Sequence, residues 1–587
     1  MKGKEYIAKF LKAIEVDNIF LVQGGACSFM VDAIAKENIN YTCFQHEQGA
    51  AMAADAVWRT TNRKKIGATF CTSGPGASNL VTGIACGYFD SIPSFHICGQ
   101  VNGKEVGQYN GAKVRQAGFQ QMDIVSMTKP ITNYAVAVTN GEELRQELKT
   151  CYEKAFEGRG GPVLIDIPMD VQTDEMENSE LLLPEVKMVV PSSTKIEEIR
   201  NNISEFFKDS ERPLVVYGAG VELSGVSEQL NEWLIDNCVP FVSSWSALNS
   251  FEHSLPNYYG HFGVYGNRGA NYIIQNASNI LVLGSRLDNR QRSGNPKLFA
   301  PHSKVMVIDI DGEELVKYDS EWKREILDLV HLPKVLENYK LPEYSSEWVS
   351  YLKEMKEKYY NVDISTEPKK YKSLNPYEVV QKMNEIIDDD AMLFADAGAN
   401  HVWVYQMFNR RKNQLLTTSS GHYAMGYSLP ASIGAKLNNP DRQVISFNGD
   451  GGIQMNIQEL QTMIEYDLGI TVVVFNNYGL GMIRQFQNTY MGGRHHATGN
   501  GQGPGRPNFS GIATAYSMDY LRVTSIDQVN ENMFKRENKR LLIEFVIDDR
   551  VLIEPKLEGG RPINDQFPYT TNKEYAENNK FVDYSRG

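Results

Sequence analysis

The chain has 587 residues, 42% of them apolar and 22% charged, which is an ordinary globular composition with room for three or more domains. A formal net charge of −13 argues against a nucleic-acid partner, because phosphate backbones are bound by clustered Lys and Arg. The seven cysteines contain no CxxC pair and no apolar run reaches the roughly 18 residues of a membrane span, so we expect a cytoplasmic protein with buried free thiols and no membrane partner.

Residues 1–180 alternate apolar strands with helices and begin with an amphipathic pattern instead of an apolar signal segment. The predicted strands cover residues 18–22, 41–45, 66–71, 94–98 and 163–167. Most of them are followed by glycine or polar turn residues, which is typical of a doubly wound α/β domain. An acidic connector over residues 170–189 is predicted to be a linker.

A second α/β domain is predicted over residues 194–340 and a third over residues 375–553, with a linker at 343–374 between them. Strands of the second domain are predicted at 214–217, 239–242, 279–282 and 304–309. The tail, 554–587, contains three prolines and little periodicity, and we expect it to lie as ordered coil on the surface. The predicted fold is therefore α/β, with three doubly wound parallel-sheet domains.

The third domain contains the most informative stretch, residues 443–477. A strand at 443–448 is followed by the turn Gly449-Asp450-Gly451-Gly452, a helix at about 453–466 and a strand at 470–475 that ends at Asn476-Asn477. Because the strands of such a βαβ unit are parallel, Asp450 and Asn477 should lie together beyond the strand ends. Their oxygens suit Mg²⁺, and the glycines let N–H groups face a diphosphate. Gly-Asp-Gly alone usually marks only a tight turn; the spacing to the asparagine pair indicates the site.

A second segment, in the first domain, places Glu47 at the end of the predicted strand 41–45, where an alanine-rich helix begins. A lone glutamate at such a position is usually explained by the helix dipole. Together with the segment around Asp450, it resembles the thiamine-diphosphate enzymes of the acetolactate synthase-like group. The resemblance extends over about residues 4–562 and includes stretches 72–79, 160–168, 309–311 and 424–427.

The resemblance implies thiamine diphosphate and Mg²⁺ as cofactors. Glu47 would hydrogen-bond the aminopyrimidine ring, whose imino form deprotonates the thiazolium, an acid–base effect of about 10²–10⁴-fold. The metal would be bound by Asp450, Asn477 and the carbonyl of Gly479. Phe119 and Gln120 would line the substrate side of the thiazolium as catalytic residues.

The resemblance also implies residues that contact the cofactors. The diphosphate and the bent thiamine would be held by Gly398, Asn400, Ala424, Met425, Gly449, Gly451 and Gly452. FAD would be held in the central domain by Arg286, Arg290 and Asp309. These charged residues favour FAD binding; the opposite interpretation is a nucleotide site that has lapsed. The glycine-rich segment 491–505 is interpreted either as a lid over the substrate or as a plain surface loop.

The implied activity is decarboxylation of a 2-oxo acid, pyruvate, and transfer of the two-carbon unit to an acceptor carbonyl. Since the cofactor of this family lies between two subunits, a homodimer or homotetramer is implied. Met169 and Phe486 stand where lysine and tryptophan are common in acetolactate synthases, and Ala399-Asn400 stands where Gln-His is usual. The departures at Met169 and Phe486 leave open a larger acceptor such as a keto sugar, and the one at Ala399-Asn400 concerns the diphosphate position. The competing hypotheses are a C–C hydrolase or a pyruvate oxidase that uses the same cofactor, and a binding homologue without catalytic activity.

Overall fold

The computed structural model describes residues 1–109, 112–186, 189–361, 374–499, 501–535 and 540–584. Three six-stranded sheets, one in each predicted domain, are built entirely from parallel strand pairs. The central strands are buried along most of their length, as in α/β sheets with helices on both faces. The predicted fold class is confirmed.

The N-terminal sheet has the strand order β2-β1-β3-β4-β8-β7. Its strands are β1 (Asn18–Leu21), β2 (Asn40–Cys43), β3 (Gly67–Cys71), β4 (Ser94–Gln100), β7 (Tyr134–Ala137) and β8 (Pro162–Pro168), and β5 (Gln108–Tyr109) pairs with β6 (Ala112–Lys113) as a separate hairpin. The helices are α1 (Gly3–Ala13), α2 (Ser28–Lys36), α3 (Glu47–Thr60), α4 (Pro75–Asn79), α5 (Val81–Asp90), α6 (Ile124–Thr128), α7 (Gly141–Phe156) and α8 (Met169–Thr173). Strand β7, absent from the sequence prediction, is a partly exposed edge strand.

The central sheet has the order β11-β10-β9-β12-β13-β14, so its topological switch point lies between β9 and β12. Its strands are β9 (Pro213–Tyr217), β10 (Phe241–Ser243), β11 (Tyr258–His261), β12 (Asn279–Leu283), β13 (Lys304–Asp309) and β14 (Lys323–Ile326). The helices are α9 (Ser193–Phe207), α10 (Ala219–Leu223), α11 (Ser227–Asp236), α12 (Arg268–Asn276), α13 (Asn289–Arg292), α14 (Gly312–Val316), α15 (Leu332–Leu336) and α16 (Ser346–Tyr359).

The C-terminal sheet has the order β16-β15-β17-β18-β20-β19, the same chain order as the N-terminal sheet. Its strands are β15 (Met392–Ala395), β16 (Leu415–Thr417), β17 (Val444–Gly449), β18 (Ile470–Asn476), β19 (Asp519–Val523) and β20 (Leu541–Val546). The helices are α17 (Pro376–Ile386), α18 (Ala399–Met407), α19 (Ser428–Asn438), α20 (Glu459–Glu465), α21 (Gly481–Tyr490), α22 (Phe509–Ala515) and, in the tail, α23 (Asn572–Asn578).

Three sequence predictions are wrong in detail. The predicted linker 343–374 contains α16, whose apolar face packs into the central core; residues 362–373 of that linker lie outside the described residues. The tail is not surface coil, because Ile563 and Tyr575 are buried in the same core. The predicted helix 453–466 is a 3₁₀ turn (Ile453–Met455) followed by the shorter α20, since Asn456 leaves the helical conformation and hydrogen-bonds the carbonyl of Gly426.

Helix α3 of the N-terminal domain packs along α19 of the C-terminal domain. The approach is close enough that a Cβ at Gly434 would lie 2.3 Å from the carbonyl oxygen of Ala53. Arg59, buried at this contact, pairs with Asp55 and Asp90 at 2.7 Å each. Glu47, the first residue of α3, is thereby held beside the C-terminal domain. None of the helices in the described ranges has the length and apolar character needed to cross a membrane.

Candidate active site

The three predicted metal ligands lie at the ends of two neighbouring strands. Asp450 follows β17 and Asn477 follows β18, and the two strands pair in register up to Gly449 and Phe475. Both side chains are buried, Asp450 with only 2% of its surface exposed. The N–H of Gly479 donates to the Asp450 carboxylate at 3.0 Å. The βαβ unit therefore places Asp450 and Asn477 at neighbouring strand ends, as predicted.

The Asp450 carboxylate already takes a cation in this structure, the guanidinium of Arg506. Burial raises the pKa of Asp450, and the charge of Arg506 opposes that rise. Arg506 comes from just beyond the glycine-rich segment and was not identified from the sequence. A buried carboxylate that attracts a cation, with Asn477 at the end of the neighbouring strand, is a donor set that suits Mg²⁺.

The backbone beside these ligands is strained. Tyr478 has a left-handed φ of 57°, unusual for a residue other than glycine. Its N–H is held by the side chain of Asn476 at 3.1 Å, and Arg484 donates to the carbonyl of Asn477 at 2.6 Å. Strain of this kind is typical of functional sites, where the surroundings force one backbone geometry.

The predicted diphosphate residues lie at the switch point of the C-terminal sheet, between β15 and β17. Helix α18 begins directly after β15 at Gly398, whose φ is +141°, so its first N–H groups face this crevice. A Cβ at Gly452 would lie 2.0 Å from the Asp396 carboxylate, and one at Gly449 would lie 3.1 Å from the side-chain oxygen of Asn400. Position 452 therefore has no room for a side chain, and position 449 has very little.

Asp396, which sequence reasoning missed, organises this region. Its fully buried carboxylate accepts hydrogen bonds from the N–H groups of Gly426 (3.0 Å) and Tyr427 (2.9 Å), and burial raises its pKa to about 7. These bonds fix the loop that carries Ala424 and Met425. The methyl group of Met425 lies 3.6 Å from where a Cβ on Gly451 would be. The available signal was a lone aspartate directly after the apolar strand β15.

Glu47 is buried at the start of α3. Asn79 donates to its carboxylate at 2.9 Å, and a Cβ at Gly76 would lie 3.1 Å from its other oxygen. Glu459 of the C-terminal domain lies close by, accepting from the N–H of Gln45 and from Thr462. Burial, assisted by the charge of Glu47, raises the pKa of Glu459 to about 7. Glu459 was not identified from the sequence.

Phe119 and Gln120 lie beside the loop that borders Glu47. Gln120 has a left-handed φ of 64°, and its carbonyl oxygen is 2.4 Å from where a Cβ on Gly74 would be. Phe119 is 84% exposed in the single chain, which is exceptional for a phenylalanine. The structure thus groups Phe119, Gln120 and Glu47 in the N-terminal domain, and Asp450, Asn477 and Met425 in the C-terminal domain.

A cavity of about 350 Å³ lies between the three domains, at the switch point of the central sheet. Arg286 and Asp309 line it, together with Gly284, whose φ is +58°. Arg290 does not border this cavity; its guanidinium lies 5.4–5.7 Å from the rings of Trp245, Tyr265 and Tyr423. Two of the three residues assigned to FAD therefore face a nucleotide-sized cleft.

Residues 1–127, 201–322 and 396–544 match the thiamine pyrophosphate enzyme N-terminal TPP binding domain, central domain and C-terminal TPP binding domain, respectively. A probable acetolactate synthase large subunit of Methanocaldococcus jannaschii is 32% identical over 584 residues, covering 96% of this chain and 95% of the relative. The chain belongs to the thiamine-diphosphate enzymes of the acetolactate synthase-like family.

Other members of the family align over similar lengths. The acetolactate synthase large subunit of Lactococcus lactis is 32% identical, covering 95% of this chain and 94% of the relative. The large subunit of acetolactate synthase isozyme 2 from Escherichia coli is 29% identical, covering 90% of this chain and 92% of the relative. The suspected family is thereby confirmed, and the three sheets correspond to the three domains of this enzyme family.

Proposed function

We propose that the protein is a thiamine-diphosphate-dependent carboligase that decarboxylates pyruvate and joins the two-carbon unit to the carbonyl of a second 2-oxo acid. The observation that carries this proposal is the meeting of Asp450, Asn477 and Gly479 at the ends of β17 and β18, beside the N-terminus of α18. That arrangement suits a metal-bound diphosphate, and the relatives are named as acetolactate synthases.

Each of the predicted site residues would have a separate role in binding the cofactors or in proton transfer. Asp450, Asn477 and the carbonyl of Gly479 would hold Mg²⁺, and the turn 449–452 would bind the diphosphate through its N–H groups. Met425 would support the bent cofactor, and Glu47 would exchange a proton with the aminopyrimidine. When bound, thiamine diphosphate supplies the electron sink that decarboxylation requires.

The active site would be completed by a second copy of the chain. The contacts of the Glu47 carboxylate within the described residues come from its own domain, with Asn79 and Gly76. Phe119, beside it, and Met455, near the Met425 loop, are large apolar side chains left 84% and 51% exposed. A homodimer or homotetramer would cover both and bring Glu47 of one chain to Asp450 of another.

The cavity at the central switch point would hold FAD. A Cβ at Gly218 would lie 2.2 Å from the carbonyl of Gly284, so the two turns meet closely and leave their backbones open to a nucleotide. Arg286 supplies a positive charge for the phosphates. Purified protein should be yellow; a colourless preparation that takes up no added FAD would contradict this assignment.

The activity is tested by incubating the protein with pyruvate, thiamine diphosphate and Mg²⁺ and assaying acetolactate. Glu47→Gln should lower the rate by about 10²–10⁴-fold, because the amide cannot take part in the proton exchange. Glu157→Gln, at an exposed glutamate of the same domain, serves as the matched control. Chelation of the metal should abolish the rate and Mg²⁺ should restore it.

Three outcomes would contradict the proposal. Equal rates in the parent and Glu47→Gln would remove the catalytic role of Glu47. Pyruvate consumption that yields no acetolactate, but a new product when a keto sugar is added, would replace the second 2-oxo acid by the larger acceptor. Oxygen uptake during turnover would indicate an oxidase instead.

A further inference from the structure

A buried group of charges in the N-terminal domain lies against the part of the C-terminal domain that carries Met425. Arg59 pairs with Asp55 and with Asp90 at 2.7 Å each, and the three side chains are between 1% and 12% exposed. Burial alone would lower the pKa of Arg59, but its neighbours, with Asp55 first among them, raise that pKa above its ordinary value. These three residues form the Arg59 network.

The network contains two carboxylates and one guanidinium. Its excess negative charge needs further hydrogen-bond donors, because a buried charge without partners is costly. The C-terminal domain supplies them. The N–H groups of Ser420 (2.9 Å) and Gly421 (2.7 Å) donate to Asp90. The hydroxyl of Tyr427 donates to Asp55.

The segment that supplies these donors, residues 418–427, has no helix or strand of its own and runs between β16 and α19. Arg59 donates to the carbonyl of Thr418, its first residue, at 3.2 Å. Farther along, the ring of His422 stacks on that of Phe89, with 5.6 Å between the centroids. Side chains of the N-terminal domain therefore contact this segment from its beginning to its end.

Met425 lies between the two groups of contacts. Asp90 holds the segment before this residue, and Asp55 holds it two residues after, at Tyr427. Asp396, from the C-terminal domain itself, accepts from the N–H groups at the end of the segment. Because the segment lacks the hydrogen-bond ladder of a helix or strand, these side-chain contacts determine its conformation and the position of Met425.

We propose that the Arg59 network positions thiamine diphosphate: from the N-terminal domain, it holds the 418–427 segment in the conformation that presents Met425 to the cofactor. This inference rests on the proposed function, in which Met425 supports the bent cofactor, and deepens it. The network acts through Met425, so its members are positioning residues. Since Glu47 begins α3 and Arg59 lies near its end, one helix serves both the proton exchange and the support of the cofactor.

The test substitutes network contacts that do not border the central cavity. Arg59 and Asp90 line that cavity, so changing them would also alter the proposed FAD site. Asp55 and Tyr427 do not line it. Tyr427→Phe removes one hydroxyl, and Asp55→Asn removes one charge at nearly constant size.

The measurement is a calorimetric titration of the full-length protein with thiamine diphosphate at constant Mg²⁺. Tyr427→Phe should raise the Kd at least about tenfold, because the buried carboxylate of Asp55 loses a donor and the segment loses its anchor. Tyr466→Phe is the matched control. Its hydroxyl also joins the two domains, accepting from the N–H of Cys43 at 2.7 Å, but outside the 418–427 segment, so its Kd should be parental.

A second titration tests whether the network acts through Met425. In a Met425→Ala background, Tyr427→Phe should change the Kd by less than about twofold, because the two substitutions remove the same support. A rise of the same size in both backgrounds would overturn the proposal, as would a parental Kd in Tyr427→Phe or an equal rise in Tyr466→Phe. If Tyr427→Phe does not fold, Asp55→Asn takes its place in every comparison.

These titrations need no turnover, so their outcome is separate from that of the proposed reaction. Network-dependent cofactor binding without acetolactate formation would contradict the carboligation alone and support the positioning role. With carboligation established and the cofactor saturating, Tyr427→Phe should keep the parental KM for pyruvate, because the network does not contact the substrate. A raised KM at a parental Kd for thiamine diphosphate would assign the network to substrate binding and overturn the proposal.

Discussion

Asp450, Asp396 and Glu459 are buried carboxylates in and around the site that differ in what compensates their charge. Asp450 has the guanidinium of Arg506 and Asp396 has backbone N–H groups. Glu459 accepts from Thr462 and from the N–H of Gln45, and its second oxygen has no hydrogen-bond partner among the described residues. Burial raises the pKa of all three. Of these three carboxylates, Asp450 alone pairs with a cation within the described residues, which is the physical reason for proposing it as a metal ligand.

Glu459 makes the stability of the protein pH-dependent. Its pKa is about 7 in the folded chain, against an ordinary value near 4.3 for an exposed glutamate. Between about pH 4 and pH 7 the folded state therefore holds a proton on Glu459 that the unfolded state has lost. The free energy of unfolding falls as the pH rises through this range. Glu459→Gln should therefore be more stable than the parent at pH 8, by on the order of 3 kcal/mol.

Melting temperatures of both proteins at pH 5 and pH 8 check this prediction, and the difference should grow toward pH 8. Glu465→Gln, an exposed glutamate of the same helix, should show no such growth. Parallel pH profiles for the parent and Glu459→Gln would mean that the folded carboxylate titrates normally.

At the scale of elements, the site is assembled by turns at strand ends. The turns after β15 and β17 meet because these strands are neighbours at a switch point, and the turns after β9 and β12 meet for the same reason in the central domain. The adjacency of Asp450 and Asn477 could be predicted because one helix and one strand separate them in sequence. The βαβ pattern could not place the end of β15 there, since it lies some 50 residues upstream; Gly398 and Asn400 were assigned to the diphosphate only through the family resemblance.

Gly452→Ala tests the packing of the turn after β17. Its Cβ would lie 2.0 Å from the Asp396 carboxylate, so either the turn or the Met425 loop must move. We expect a loss of about 1–3 kcal/mol in stability and a clearly raised Kd for thiamine diphosphate, measured by urea unfolding and by calorimetry. Gly294→Ala, where a Cβ would meet open space, is the control and should leave both unchanged. Unaltered cofactor affinity in Gly452→Ala would show that this turn does not contact the cofactor.

At the scale of the whole molecule, the N- and C-terminal sheets have the same strand order and are joined by the packing of α3 on α19. Each carries half of the proposed site: a buried carboxylate beside an exposed phenylalanine in one, and the metal and diphosphate positions in the other. A single chain thus leaves Phe119 and Met455 uncovered, and assembly would cover them.

Complementation tests whether the site is shared between chains. Glu47→Gln and Asp450→Ala should each be inactive alone, but co-expressed chains should form mixed dimers with one intact site, giving about a quarter of parental activity after random pairing. Acetolactate formation by the purified mixture is the measurement. No recovery in confirmed mixed dimers would place Glu47 and Asp450 of the same chain in one site.

Local features of the amino-acid sequence were sufficient to predict the three parallel-sheet domains and the proximity of Asp450 and Asn477, whereas the family was predicted from the resemblance of the segments around Glu47 and Asp450. These features are the periodicity of strands and helices, the glycine turns, and the rule that parallel strands end together. Each of these features involves residues of a single supersecondary unit. The residues are therefore close together in the sequence, and the pattern can be recognised without the structure.

The compensation between distant side chains became visible only in the folded molecule. Arg506 on Asp450 and Asp396 under the Met425 loop each join segments that are remote in sequence. Likewise, α16 and the tail were mistaken for linker and coil because their few apolar residues gain their stability from the central core. Burial and charge compensation depend on the whole packing, and local propensity does not encode them.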